Sequence, residues 1–357
     1  MVCRKMIEKR AVTVVGGGSF GTVLADLAAR RGHSVRWWMR CAQQASAIRE
    51  TGINSRYLPQ RPVSDGVTPT TDLEWAVRGS DLVFMAVPSQ SFRGVASRLG
   101  AYVGAAMVVS TAKGIEANGF HLMSDILAGE LPGSRTGVLS GPNLAREVMD
   151  GHMTATVVAS EHSEVCRSVQ EVLRSHSFHV YSSTDYRGVE LGGALKNIYA
   201  IAVGLASALE LGDNTRSALV TRSLSEMTRF AVTLGADPVT FLGLAGVGDL
   251  IVTCGSRLSR NFRVGYALGE GKNLEQIGQE LGQVAEGLDT LVLVRNKALQ
   301  LGVSMPIVEG LYAVVVGGGS VRNVADVMAI WEQKADTELS LPTGGECLVP
   351  RQSIQEV

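Results

Sequence analysis

The stretch Ala11-Val-Thr-Val-Val-Gly-Gly-Gly-Ser-Phe-Gly21 decides the fold class of this chain. A β-prone run leads directly into the spacing Gly16-x-Gly18-x-x-Gly21, and a segment with helical spacing follows. The first glycine permits a tight turn, the second lets the backbone approach a pyrophosphate, and the third allows a helix to pack closely on a strand. The phosphate rests on the helix N-terminus. The stretch therefore predicts a dinucleotide-binding α/β domain.

The first half of the chain repeats this alternation of β-rich runs and helical segments. Such alternation predicts a Rossmann-type α/β domain, in which helices cover both faces of a mostly parallel sheet. The predicted strands are Ala11–Val15, Val35–Trp38, Leu82–Val87, Ala106–Ser110, Thr136–Leu139, Thr154–Val158 and Phe178–Tyr181. The predicted helices are Gly21–Arg31, which Gly32 should end, Ser89–Leu99 and Ser163–Arg174.

The second half has helical periodicity without a convincing strand pattern, so we predict an all-α C-terminal domain. Its predicted helices are Glu190–Leu211, Asn214–Leu234, Gln283–Leu301 and Pro306–Val316. We expect a dinucleotide-binding domain over residues 1–187 and a helical substrate domain over residues 188–335. Residues 336–357 contain Pro and Gly without periodicity, which predicts a mobile tail.

Composition narrows the classes of partner. The formal net charge of −1 gives no overall reason to bind nucleic acid or anionic lipid. Five scattered cysteines without a CxxC pair argue against a disulfide framework or a zinc site and favour a reducing compartment. The charged N-terminus lacks the apolar stretch of a signal peptide, and apolar runs such as residues 198–209 are too short to span a bilayer. We therefore expect a cytoplasmic protein without a metal site or stable membrane insertion.

The end of the second predicted strand bears on the choice of cofactor. An acidic residue there binds the ribose hydroxyls of NAD, whereas an arginine accommodates the extra phosphate of NADP. Val35-Arg-Trp-Trp-Met-Arg40 contains no acid. Arg40, with Arg36 as a possible helper, favours NADPH or dual use with NADH; the alternative is that Arg40 is a solvated residue at a strand end.

Two lysines stand apart in a chain that has only seven. Lys113 follows a predicted strand, at the sheet edge where ligands bind in such folds, and Lys196 lies in a helix among small apolar residues. Hydride transfer to or from a carbinol carbon needs a group that exchanges the hydroxyl proton, commonly His, Lys or Tyr. All six histidines precede the helical domain. Lys196 is therefore the best acid/base candidate, with Asp249 as a possible orienting carboxylate; the alternative is a lysine that snorkels at a helix surface.

Ser259, Arg260 and Asn261 are adjacent hydrogen-bond donors that enter a predicted helix. This arrangement suits a small phosphate monoester, because a helix N-terminus and a guanidinium both favour phosphate oxygens. Read alone, such a run is more often a solvated helix start. Its position downstream of a dinucleotide motif and a candidate catalytic lysine favours the phosphate site.

Together these motifs resemble the bacterial NAD(P)-dependent glycerol-3-phosphate dehydrogenase family. The matching features run in family order across roughly residues 10–330. They are Gly16 to Gly21, Val87-Pro88, Lys113-Gly114, Leu139-Ser-Gly-Pro142, Leu195-Lys-Asn197, Leu244-Ala-Gly-Val-Gly-Asp249, Ser256-Arg-Leu-Ser-Arg-Asn261 and Val284-Ala-Glu-Gly287. The resemblance implies reduction of dihydroxyacetone phosphate to sn-glycerol 3-phosphate, a precursor of glycerophospholipids, by a homodimer.

The resemblance also implies roles for individual residues. Lys196 would be the acid/base, with Lys113 and Asp249 beside it. The substrate site would contain Lys113, Gly141, Asn143, Ala145, Lys196, Asn197, Asp249, Ser259, Arg260 and Asn261. The dinucleotide would contact Gly16, Gly18, Ser19, Phe20, Gly21, Arg40, Tyr57, Lys113, Ala145, Arg260, Val284 and Glu286.

Two positions depart from the family pattern, and two other functions compete. The family more often has Trp or Tyr at the position of Phe20, and Ser or Thr at that of Asn143. A dehydrogenase of the same plan could act on a β-hydroxyacid or another sugar phosphate. A dinucleotide-sensing protein without catalysis is the second alternative, although Lys196 in a lysine-poor core argues against it.

Overall fold

The computed structural model describes residues 8–281 and 286–318 and contains one eight-stranded sheet. The strands are β1 Ala11–Val15, β2 Ser34–Trp38, β3 Val67–Thr70, β4 Leu82–Met85, β5 Met107–Ser110, β6 Thr136–Ser140, β7 Thr154–Ala159 and β8 Phe178–Ser183. Their order is β3-β2-β1-β4-β5-β6-β7-β8, and every pair is parallel except β6 with β7. The mostly parallel sheet is confirmed.

The seven predicted strands are all present with small shifts at their ends, and one further strand was missed. Every residue of β4 and β5 is buried, as expected for strands covered by helices on both faces. The missed strand is β3, four residues that include Pro69. Proline cannot donate to a sheet ladder, and β3 accommodates it because it lies at the edge and pairs only with β2.

Helices connect the strands of the first half. They are α1 Ser19–Arg30, α2 Ala42–Thr51, α3 Leu73–Val77, α4 Ser89–Gly100, α5 Met123–Glu130, α6 Ala145–Met149 and α7 Ser163–Leu173. The three predicted helices correspond to α1, α4 and α7. Gly32 follows the end of α1 at a φ of 86°, as its predicted role requires. Because α1 begins two residues earlier than predicted, its N-terminus lies directly after the glycine turn.

The second half of the described chain is helical, as predicted. Its helices are α8 Tyr186–Ala208, α9 Asp213–Thr233, α10 Asp249–Gly255, α11 Arg260–Gly269, α12 Leu274–Leu281, α13 Glu286–Leu301 and α14 Pro306–Val315. A 3₁₀ turn over Pro238–Leu242 and a π turn over Leu244–Gly248 precede α10. The change from strand to helix lies between Ser183 and Tyr186, just before the predicted boundary. The predicted tail lies outside the described residues.

Helix α8 forms the centre of the helical half and packs against α9, α10, α11 and α13. With 23 residues, α8 is long and apolar enough to cross a membrane, although the apolar run over residues 198–209 alone is too short. Within the fold, however, 89% of its most apolar window is buried. Glycines bring α8 and α11 together: a Cβ at Gly204 would overlap the carbonyl of Phe262, and one at Gly265 would overlap that of Ile201. This close crossing fixes the start of α11 relative to α8.

Candidate active site

A cavity of about 1190 Å³ opens at the carboxyl edge of the sheet, where the strand order changes direction beside β1. Ligands bind at this position in open α/β sheets. Both halves of the chain line the cavity. The predicted residues on its wall are Gly16, Gly18, Ser19, Phe20, Arg40, Tyr57, Lys113, Asn143, Ala145, Lys196, Asn197, Ser259, Arg260, Asn261 and Glu286. Val284 lies outside the described residues.

The three motif glycines have different surroundings. A Cβ on Gly16, whose φ is 130°, would overlap the carbonyl of Ala86, and one on Gly21 would overlap that of Gly16. These two glycines allow the turn and the packing of α1. A Cβ on Gly18 would meet nothing within 4 Å, so the space in front of it is open. This cradle fits a pyrophosphate next to the N-terminus of α1.

Side chains distant in sequence hold the carbonyl groups of the glycine turn. Trp37 Nε1 donates to the carbonyl of Gly16 at 2.8 Å. Gln44 and Asn54 donate to that of Gly17 at 2.7 and 3.0 Å. These bonds fix the turn before any ligand binds. No sequence motif links these residues to the turn, so they could not be predicted as part of the site.

At the inner end of the cavity, one carboxylate holds both unusual lysines. Lys196 Nζ donates to Asp249 Oδ1 and, at 2.7 Å, to Thr253 Oγ1. Lys113 Nζ donates to Asp249 Oδ2 at 2.7 Å and to the carbonyl of Gly141 at 2.9 Å. Lys196 is only 6% exposed, which excludes a lysine that snorkels at a helix surface. Asp249 and Gly141 lie behind the lysines and are not on the cavity wall.

Burial changes the proton affinity of Lys196. Desolvation lowers the pKa of its amine to about 7; the Asp249 carboxylate opposes this shift and the Lys113 cation adds to it. An amine with this pKa populates both protonation states near neutral pH. It can therefore give or take a proton at an atom in the cavity.

Asn143 offers an unused acceptor on the cavity wall. Its Nδ2 donates to Thr156 Oγ1 at 2.9 Å, and that hydroxyl donates to the carbonyl of Ser140 at 2.8 Å. Since the hydroxyl proton is engaged, Thr156 must accept from Asn143, which fixes the orientation of the amide. Asn143 Oδ1 is buried without a partner among the described residues. It can accept a hydrogen bond from a ligand.

In the predicted phosphate cluster, two of the three side chains also accept hydrogen bonds from the backbone. Ser259 Oγ caps α11 by accepting from the amide of Phe262 at 3.3 Å, and Asn261 Oδ1 accepts from the amide of Gly287 at 3.2 Å. The Ser259 hydroxyl proton and the Asn261 amide group remain able to donate. The exposed Arg260 side chain completes the cluster on the cavity wall. Three donor groups therefore meet at the start of α11.

Glu286 lies on the same side of the cavity. Burial raises the pKa of this half-buried carboxyl, and the charge of Arg260 opposes the shift.

Asn197 also contributes to the site, because it links the two halves of the chain: its Nδ2 donates to the carbonyl of Lys113 at 3.2 Å.

The two candidate arginines of β2 have different positions. Arg40 lies on the cavity wall. Arg36 donates to the carbonyls of Trp75 and Arg78 at 2.7 and 2.8 Å, and to Ser80 Oγ at 3.1 Å. The suggestion that Arg36 assists Arg40 is therefore wrong, because these contacts hold its side chain against α3 and the turn that follows.

A dinucleotide cradle beside a buried lysine of near-neutral pKa, with donors for a small anion, defines a two-domain dinucleotide-dependent dehydrogenase. Family comparison identifies the group. Residues 11–166 match the description "NAD-dependent glycerol-3-phosphate dehydrogenase N-terminus", and residues 185–326 match the corresponding C-terminus. The chain belongs to this family.

Individual relatives agree with this assignment. The chain is 52% identical to glycerol-3-phosphate dehydrogenase [NAD(P)+] of Ectopseudomonas mendocina, over 95% of this chain and all of that protein. It is 51% identical to the enzyme of the same name from Azotobacter vinelandii, over 95% of this chain and 100% of that protein. A crystal structure of glycerol-3-phosphate dehydrogenase from Coxiella burnetii superposes with a TM-score of 0.86 at 35% identity, covering 90% of this chain and 99% of that one.

Proposed function

We propose that this chain catalyses the reversible reduction of dihydroxyacetone phosphate to sn-glycerol 3-phosphate with NADPH or NADH. The observation that carries the proposal is the buried Lys196–Asp249–Lys113 unit at the inner end of a dinucleotide cavity. Family membership supplies the substrate class. The same resemblance supports a homodimer and a role in supplying glycerophospholipid synthesis in the cytoplasm.

The dinucleotide would lie along the cavity from Arg40 to Lys113. Gly18 would admit its pyrophosphate to the N-terminus of α1, in the turn that Gly16 and Gly21 make possible. Ser19, Phe20, Tyr57, Ala145 and Glu286 would contact the dinucleotide. When bound, its nicotinamide ring supplies the hydride for reduction or accepts it for oxidation. The residues of the chain bind, orient and handle the proton.

Lys196 is the proposed acid/base. In reduction its ammonium gives a proton to the carbonyl oxygen of the substrate while hydride adds to the carbonyl carbon, which balances the reaction. In oxidation the neutral amine takes the hydroxyl proton. Asp249 and Thr253 hold the amine in place, and the Lys113 cation stabilises negative charge that develops on the oxygen.

The substrate phosphate would lie at the start of α11. Arg260 would form charge-assisted hydrogen bonds with its oxygens, and Ser259 and Asn261 would add neutral donors. Asn143 Oδ1 would accept from the free hydroxyl group of the triose. This arrangement would hold the carbonyl carbon between Lys196 and the nicotinamide.

The test is a single absorbance assay of NADPH oxidation. Purified protein should oxidise NADPH rapidly with dihydroxyacetone phosphate, and slowly with dihydroxyacetone or a β-ketoacid. Chiral analysis of the product should give the sn-glycerol 3-phosphate enantiomer. Equal or faster turnover of the ketoacid would replace the proposal with a hydroxyacid dehydrogenase, and binding of NADPH without any turnover would favour a dinucleotide sensor.

A further inference from the structure

The open end of the cavity carries four arginines of the N-terminal half, which have different partners. Arg40, Arg56, Arg61 and Arg146 all line the wall. Arg61 forms a two-point ion pair with Asp150, with Nε–Oδ1 and Nη2–Oδ2 distances of 2.6 and 2.9 Å. Within residues 8–281 and 286–318, the contact found for the Arg56 guanidinium is the ring of Tyr57, 5.5 Å from its Cζ. Arg56 and Arg40 form no salt bridge in this part of the chain.

The loop that carries Arg56 is tied to the glycine turn. Asn54, 1% exposed, donates to the carbonyl of Gly17 at 3.0 Å and to Thr22 Oγ1 at 2.9 Å. The carbonyl of Asn54 accepts from the amides of Tyr57 and Leu58 at 3.1 and 2.8 Å. Arg56 therefore belongs to a tight turn that is fixed to the glycine turn, so the fold sets the position of its backbone relative to the segment that would bind the pyrophosphate.

A 2′-phosphate carries more negative charge than one cation neutralises. A phosphate monoester carries about −1.5 to −2 charges at neutral pH, whereas Arg40 supplies one positive charge. Arg36 is held elsewhere, Asp150 neutralises Arg61, and Arg146 on α6 also interacts electrostatically with the Asp150 carboxylate. We propose that Arg56 is the second cation that recognises the 2′-phosphate of NADP, and that Arg40 and Arg56 together set the cofactor preference. The proposal rests on the dinucleotide site of the proposed function, but not on the triose substrate.

Calorimetric titration with fragments of the cofactor tests this role without any turnover. Adenosine 2′,5′-bisphosphate and adenosine 5′-monophosphate differ only in the 2′-phosphate. In Arg56→Ala the affinity for the bisphosphate should fall about tenfold, as expected for the loss of one charge-assisted contact at an exposed site. The affinity for the monophosphate should change less than twofold. Arg56→Lys should recover part of the loss, because lysine retains the charge.

Arg61→Ala is the matched control, since Arg61 lines the same cavity but is already paired. It should leave the affinity ratio of the two fragments unchanged. An equal loss of both fragments in Arg56→Ala would assign the residue to the adenine or the 5′-phosphate, and no loss of either would remove it from the site; each outcome overturns the proposal. Because these titrations contain no triose, they stand whether or not dihydroxyacetone phosphate is the substrate.

Discussion

The two ends of the cavity hold positive charge in opposite environments. At the inner end Lys196 is buried, bonded to two side chains and held with Lys113 by one carboxylate. At the open end Arg40 and Arg56 are exposed and face the cavity without a carboxylate partner among the described residues. A proton-transfer group needs desolvation, which brings its pKa near the working pH. A phosphate-binding group needs a permanent charge, and a guanidinium supplies one even in water.

The largest effect should come from removal of the titrating amine. Lys196→Met keeps most of the side-chain volume but cannot carry a proton. Since general acid–base catalysis contributes about 10²–10⁴-fold, we expect kcat to fall by at least about a hundredfold while the Kd for NADPH stays within a few-fold of wild type. Stopped-flow turnover and fluorescence titration measure the two quantities.

Lys196→Arg is the control for charge alone. Arginine keeps the positive charge but does not release its proton, so this variant should be as inactive as Lys196→Met. If Lys196→Arg retained more than about a tenth of the wild-type turnover, the function of this position would be positive charge and not proton transfer. Both ends of the cavity would then depend on permanent charge alone.

The next largest effect should be a difference between the pH dependence of turnover, set at the inner end, and that of NADPH affinity, set at the open end. Because the pKa of Lys196 is lowered to about 7, the ammonium needed for reduction disappears above that pH. The kcat for reduction should fall up to about tenfold per pH unit above 7, whereas oxidation of glycerol 3-phosphate should fall below 7. The affinity for NADPH should stay nearly constant from about pH 7 to 9, because the arginines remain charged. Profiles of the same slope direction in both reaction directions would contradict the acid/base role.

A smaller effect is expected at the phosphate cluster of α11. Arg260→Ala should reduce the preference for dihydroxyacetone phosphate over dihydroxyacetone by about 10- to 100-fold, from the loss of charge-assisted contacts. Arg260→Lys should have an intermediate preference, because lysine cannot form a two-point contact. The ratio of kcat/KM values for the two substrates is the measurement, with the Kd for NADPH determined separately. A preference ratio that does not change would remove Arg260 from phosphate recognition.

Much of the candidate site could be predicted because its sequence signals are local. The glycine spacing, the position of Lys113 after a strand and Lys196 within an apolar helix each depend on immediate neighbours in the chain. The side chains that donate hydrogen bonds to the carbonyls of the glycine turn could not be predicted in this way. Its donors lie 21 to 37 residues beyond the carbonyls that they hold, and they become neighbours only when the sheet forms.

The assignment of Arg36 failed for a reason that the strand geometry makes clear. Arg36 is the middle residue of β2, so its side chain leaves the face of the sheet beside α3. Ligands bind beyond the carboxyl end of a strand, which only Arg40 reaches. The acceptor role of Asn143 could not be predicted for a different reason. Its Oδ1 is left free because its Nδ2 donates to Thr156, which lies in β7, the strand antiparallel to β6. Composition alone does not reveal that pairing.

The smallest effect should be found at Arg40, because water and salt weaken interactions at an exposed site. Arg40→Asp places a carboxylate where the 2′-phosphate would lie, and that carboxylate can accept a hydrogen bond from the 2′-hydroxyl of NADH. We expect the KM for NADPH to rise about tenfold at low ionic strength, with little change for NADH. At about 1 M salt the Debye length shortens to about 3 Å, so the difference between the wild type and Arg40→Asp should shrink to a few-fold. The pH midpoint of reduction should not move with salt in either protein, because Lys196 and Asp249 are buried and poorly screened. A midpoint that shifts with salt, or an equal loss with both cofactors, would mean that the two ends of the cavity do not differ as described.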